Sequence, residues 1–136
     1  MSETRLTVLD SSVGVKWMKP EAGRAEALCL LEEHREGRVR IVVAAHFLHE
    51  VVGVAVRHGG PSLGELAWAS LRDADLTVVG LDDALATAAL AQCRSLGCSF
   101  YDALAPAIAE RSGATLYSAD ARAHAGFDGV VLVVGE

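Results

Sequence analysis

"LTVLDSSVGVKW", residues 6–17, decides how the fold is read. It begins as a short apolar run and then sets a carboxylate, Asp10, at the point where the run ends. Uninterrupted apolar residues bounded by polar ones predict a strand covered on both faces, which is the habit of parallel sheets. "RLTVL" (5–9) is therefore read as a strand, and four further segments read the same way: "VRIVVA" (39–44), "LTVVG" (76–80), "ATLYS" (114–118) and "GVVLVV" (129–134). Between them lie stretches with apolar residues at helical spacing. These predict helices over 21–37, over roughly 46–58 up to "GGP", a short one from Pro61 to about Arg72, then 82–97 and about 100–112, and a short helical turn before the last strand. Strands alternating with helices predict an α/β fold, a three-layer α/β/α sandwich with a mainly parallel central sheet. No linker, repeat or low-complexity tract interrupts the pattern, so residues 1–136 read as one domain.

Composition narrows the function classes. The chain is 51% hydrophobic with a mean hydropathy of +0.31, yet only 5% aromatic, so the apolar excess is Ala, Val and Leu and leaves enough for an apolar partner surface. The longest apolar stretch, Ile41 to Val56, contains His46, His49, Glu50 and Gly53, which argues against a membrane span. "MSETRL" at the start is charged and lacks the apolar core of a signal peptide, making the cytoplasm the expected location. A net charge of −6 argues against holding nucleic acid by bulk attraction, because phosphate contacts need clustered Lys and Arg. Cys29, Cys93 and Cys98 are odd in number and form no CxxC pair; they are expected to be small buried hydrophobes rather than a disulfide framework or a zinc site.

The ligand crevice of an open parallel sheet lies beyond the carboxyl ends of its strands. Asp10 follows the first strand and Asp120, in "YSAD", follows the fourth. Glu50 stands early in the helix after the second strand, and Asp102 near the start of the helix in "SFYDALAPAIAE". Each acid has an ordinary structural reading: Asp10 and Asp120 as helix caps, Asp102 as a complement to a helix N-terminus, Glu50 as a solvated helix residue. Arrival of all four at one rim points instead to a carboxylate pocket. Crowded carboxylates repel and stay ionised when a cation enters, and hard oxygen ligands suit Mg²⁺ or Mn²⁺. Such metals lower the pKa of a bound water and stabilise the leaving oxygen in phosphodiester hydrolysis.

"VLDSSVGVKWMKPE", "AAHFLHEVV" around Glu50 and "FYDALAPAIAERSGATLYSAD" from Phe100 to Asp120 resemble the PIN-domain ribonucleases, specifically the VapC toxins of toxin-antitoxin pairs. The order and spacing of the four acids match, and the likeness spans essentially the whole chain. The resemblance implies a Mg²⁺- or Mn²⁺-dependent endoribonuclease acting on RNA, with Asp10, Glu50, Asp102 and Asp120 as both metal ligands and catalytic residues. It also implies Ser12 and Ser118 as hydroxyl neighbours of the pocket, a VapB-type antitoxin that blocks it, and a homodimer. The chain departs from the family pattern at Gly53, where an Asn is common, at Ala45 and His46, where a proline often introduces the helix, and at Pro106, where a helix former is usual. Pro106 offers no N–H to the Asp102 carbonyl. A late helix start or a local bend is therefore expected, with that carbonyl bonded to water or to a side chain.

The remaining polar residues divide between roles. Lys16 and Arg122 lie near the acids in sequence and are candidates for contacting substrate phosphate, with surface solvation or pairing to an acid as the alternative. His46 and Glu50 share a helical face, but "HFLHE" does not have the order of a zincin motif. Asp82 and Asp83 start a helix, Asp128-Gly129 makes a turn, and Arg35, Arg38 and Arg40 read as a solvated helix end. "DSSVGVK" has no GxGxxG, which excludes a dinucleotide-binding turn, and Ser12 stands where a haloacid-dehalogenase phosphotransferase needs a second Asp. The competing reading outside the enzymes is a PIN-like fold that has lost catalysis and serves as an RNA- or protein-binding module.

Overall fold

The computed structural model describes residues 4–135. Five strands, β1 (Arg5–Leu9), β2 (Val39–Ala44), β3 (Thr77–Val79), β4 (Thr115–Ser118) and β5 (Val131–Leu132), form one sheet in the order β3-β2-β1-β4-β5. Every pairing is parallel. The six helices are α1 (Ser11–Met18), α2 (Arg24–Arg35), α3 (Ala45–Ala74), α4 (Asp83–Leu96), α5 (Phe100–Ser112) and α6 (Ala121–His124). None is long and apolar enough to cross a membrane among the described residues.

Alternation along the strands divides the core in two, because successive side chains of a strand point to opposite faces. Leu9, Ile41 and Val43 meet Val13 and Trp17 of α1, Leu30 of α2 and Phe47 of α3 on one face. Val8, Val42, Ala44 and Leu116 meet Leu85 and Ala89 of α4 and Leu104 and Ile108 of α5 on the other. The three-layer sandwich expected from the sequence is the observed architecture.

Helix α1 was not foreseen. Val13, Gly14 and Val15 in its middle are poor helix formers, so tertiary contacts decide its conformation. Gly14 lets the helix lie directly on α3: a Cβ there would stand 2.3 Å from Phe47 Cζ. Trp17 Nε1 then donates to the Ala27 carbonyl at 2.8 Å and ties α1 to α2. The two helices expected before and after "GGP" are present as one element, interrupted at Gly60, whose φ of 78° and ψ of −177° only glycine adopts without strain. Strands β3 and β5 and helix α2 are shorter than their sequence patterns, while α5 runs unbroken over Phe100–Ser112. The late start expected for α5 does not occur, since the Ser99 side chain caps it by accepting the Asp102 N–H at 3.1 Å. The cysteines are also placed differently from expectation: Cys29 is exposed, and Cys93 and Cys98 are half-buried on and just after α4. Leu28 and Leu30 flank Cys29 in sequence, so an apolar neighbourhood did not guarantee that its helix face points inward.

Strand order gives the site its place. The chain builds outward from β1 to β2 and β3, then returns to add β4 and β5 on the other side of β1. The reversal falls between β1 and β4, the two strands that end at Asp10 and just before Asp120. A sheet opens a crevice at such a reversal.

Candidate active site

Asp10 leaves β1 and caps α1, its Oδ2 accepting the Ser12 N–H at 3.0 Å. Asp120 does the same after β4, Oδ1 accepting the Ala123 N–H at 3.1 Å. Both acids therefore fulfil the ordinary capping role. Each cap bond engages one carboxylate oxygen of its acid.

The two turns are bonded together. Asp10 N–H donates to the Tyr117 carbonyl at 3.0 Å, and Ala119 N–H donates to Ser12 Oγ at 2.9 Å. Ser12 Oγ also lies 3.5 Å from Ser118 Oγ, and Ser118 Oγ accepts the Asp120 N–H at 3.0 Å. The serines expected as neighbours of the pocket thus act as ties between the segments that carry its acids. Ser118 is fully buried and Asp10 nearly so.

Asp102, in the first turn of α5, is shared by two hollows. One, of about 310 Å³, brings it together with Asp120, Arg122, Ser99 and Cys98. The other, of about 710 Å³, brings it together with Glu50, His46, His49, Tyr101 and Ser11. Asp10 lines a small recess adjoining the larger hollow, with Ser11, His46 and Tyr101 common to both. The four acids thus share one rim but do not converge at a single point. Among the described residues no three His, Cys, Asp or Glu side chains stand close enough to hold a metal ion as they are placed. Glu50 faces His46 across 3.4 Å, and the His46 ring stacks on Tyr101 with centroids 4.5 Å apart.

Charge at this rim is felt by the Cys98 thiol. Burial pushes its pKa up, and the neighbouring Cys93, Asp102 and Asp10 push it further in the same direction. Cys98 therefore registers negative potential from two acids that arrive on different elements.

The two cationic candidates separate. Arg122 is exposed and lines the hollow of Asp102 and Asp120. Lys16 is buried, with its ammonium bonded to Glu21 Oε1 at 3.2 Å and to the Ala22 carbonyl at 2.6 Å. Burial works against the Glu21 charge, but the hydrogen bonds from Lys16 and Lys19 outweigh it and hold the carboxyl below its usual range. Lys16 thus pairs with an acid, though not one of the rim.

One buried polar residue beside the acids escaped the sequence reading. His124, at the end of α6, is fully buried; Ser118 Oγ lies 2.6 Å from its Nδ1, and the Asp102 carbonyl 2.6 Å from its Nε2. The Asp102 carbonyl is the one that Pro106 leaves without a helical partner, so the side chain expected at that carbonyl is His124. The only signal for it in the sequence was the proline.

A PIN domain family model matches residues 7–128. The chain belongs to the PIN-domain family. Among solved structures this PIN domain is similar to a toxin-antitoxin complex from Klebsiella pneumoniae, with a TM-score of 0.71 at 15% identity, covering 96% of this chain and 99% of that one. It is also similar to Mycobacterium tuberculosis VapC20, a sarcin-ricin-loop-cleaving toxin, with a TM-score of 0.68 at 18% identity and 91% and 98% covered. A DNA-bound VapBC from Salmonella typhimurium gives a TM-score of 0.68 at 17% identity, with 95% and 97% covered. At these identities the likeness is one of fold. No curated protein matches the sequence.

Proposed function

We propose that this PIN domain is a divalent-metal-dependent endoribonuclease of the VapC type, the toxin of a cytoplasmic toxin-antitoxin pair. The observation that carries the reading is the placement of Asp10, Glu50, Asp102 and Asp120 on one rim at the reversal of the strand order, with Asp102 common to both hollows. The donors are all carboxylate oxygens, and the cap bonds of Asp10 and Asp120 engage one oxygen of each, a set that fits Mg²⁺ or Mn²⁺ better than a softer metal. Asp10, Asp102 and Asp120 would hold the ion with Glu50 completing the set. A bound ion supplies an activated water and charge neutralisation at the phosphate.

The residues around the acids supply the rest. Ser12 and Ser118 keep the Asp10 and Asp120 turns in register. Arg122 offers a guanidinium to a phosphate oxygen beside the acids. Tyr101, 61% exposed and backed by His46, offers an aromatic face to an unstacked base, which is how single-stranded RNA is usually gripped. Leu66, Trp68 and Leu81 are large apolar residues left exposed, and they support burial against a second copy or a VapB-type antitoxin.

Incubation of the purified protein with total RNA, with Mg²⁺ or Mn²⁺ and with chelator, tests the reading. Metal-dependent cleavage is expected. A binding module with no catalysis is the second reading, favoured by the His46 contact to Glu50; it predicts RNA retention with no cleavage under any metal.

A further inference from the structure

His124 joins two of the acids without touching either carboxylate. The Asp102 carbonyl can only accept, so His124 Nε2 carries the hydrogen in the 2.6 Å bond. In the neutral ring Nδ1 then accepts, and the hydroxyl of Ser118 is the donor at 2.6 Å. Ser118 Oγ still accepts the Asp120 N–H at 3.0 Å. The result is a directed chain from the Asp120 N–H through the Ser118 hydroxyl and the His124 imidazole to the Asp102 carbonyl. Every donor in it points the same way, so the bonds polarise one another. Its two ends are backbone groups of residues that share one hollow.

Pro106 makes the last link necessary. It lies inside α5, fully buried, and has no N–H for the Asp102 carbonyl. A buried carbonyl needs a donor from elsewhere, and α6 supplies it. Proline on one helix and histidine on another thus replace a bond within α5 by a bond between α5 and the Asp120 turn.

We propose that His124 is a positioning residue of the acid site, setting the place of Asp102 relative to Asp120 and thereby the affinity of the site for a divalent cation. The proposal rests on the metal reading above. A merely structural histidine would satisfy the carbonyl and nothing more, and the two cases part in a double variant. In Pro106→Ala the residue at 106 regains an N–H that can serve the Asp102 carbonyl within α5. His124→Phe in that background keeps ring volume, leaves the carbonyl satisfied and cuts the link to the Asp120 turn.

The test is Mn²⁺ binding by titration calorimetry on the metal-free proteins, with thermal melts alongside. The parent should bind Mn²⁺. His124→Phe should bind on the order of tenfold more weakly, as removal of groups that orient ligands does, and His124→Gln, whose amide can still donate to Asp102, should recover part of the loss. Pro106→Ala/His124→Phe should melt above His124→Phe yet keep the weakened Mn²⁺ binding. Parental affinity in that double variant would overturn the proposal, leaving the imidazole as a partner for an orphaned carbonyl. A parent that binds no Mn²⁺ would overturn the metal reading itself, before any variant is compared.

Discussion

The turns that carry Asp10 and Asp120 are bonded to each other through backbone groups and two serines, and His124 ties the second of them to Asp102. Glu50 is held by a contact to His46 on its own helix, with its side chain 44% exposed. Helix α3, which bears it, has no side-chain cap at Ala44, whereas the helices bearing or following the other three acids are all capped. The contrast is one of preorganisation. Three acids stand on segments fixed by capping and cross-segment hydrogen bonds; the fourth is placed by a half-exposed pair within its own helix, worth only about a few tenths of a kcal/mol.

If that contrast governs the chemistry, Asp102→Asn and Asp10→Asn should have the largest effect. Asn keeps the shape and the cap acceptor but removes the charge that holds a hard cation. RNA cleavage should fall on the order of a thousandfold, the loss of several kcal/mol of transition-state stabilisation, with the fold intact by circular dichroism. Glu50→Gln should cost less. An equal or greater loss at Glu50 would break the comparison.

Metal addition comes next in size. A cation that binds only the native state stabilises it by about 2.7 kcal/mol at a hundredfold excess over its Kd, or roughly 10 °C in a domain this long. Mg²⁺ or Mn²⁺ should therefore raise the melting temperature of the parent, fail to raise that of Asp102→Asn, and raise that of Glu50→Gln by an intermediate amount. An unchanged melt of the parent at saturating metal would remove the ion from the account.

What was readable beforehand follows the same division. Apolar runs and helical spacing located all five strands and the bounds of α5, because burial on both faces leaves a strong pattern in sequence. Asp10 and Asp120 could be placed because each follows a strand, and Asp102 because it stands in the first turn of α5, whereas Glu50 lies further inside its helix. Helix α1 was not, since its conformation depends on Gly14 lying against Phe47, a contact more than thirty residues away along the chain. His124 was invisible for a related reason. Its partners stand six and twenty-two residues away with no periodicity to connect them, and only the missing hydrogen at Pro106 pointed to a need.

A smaller effect probes the charge of the bonded half through Cys98. A raised thiol pKa means less thiolate at neutral pH, so Cys98 should react with iodoacetamide more slowly than the exposed Cys29, and its rate should climb as pH rises through the shifted value. Burial is the main cause of the shift and the acids a lesser one. Saturating Mg²⁺, by offsetting the charge of Asp102 and Asp10, should therefore speed Cys98 labelling only modestly. Mass spectrometry of the labelled cysteines reads this directly, and faster labelling of Cys98 than of Cys29 without metal would contradict the placement.

Pro106→Ala should have the smallest effect, although a proline inside a helix ordinarily costs about 3 kcal/mol. That figure combines a lost hydrogen bond with a steric clash, and here the lost bond is already replaced by His124. Restoring the N–H then adds a second donor to a carbonyl that has one, worth about 1 kcal/mol at most. Against this, alanine removes two methylene groups from a fully buried position, at about 0.8 kcal/mol each, and frees the unfolded chain by about 0.4–1 kcal/mol more. Relief of the ring clash offsets part of that, so the net change should stay within roughly 1.5 kcal/mol in either direction. Denaturant melts of Pro106→Ala and the parent measure it. A gain near 3 kcal/mol would show that His124 does not compensate the proline, and the bonded half of the site would then owe less to its histidine than the geometry indicates.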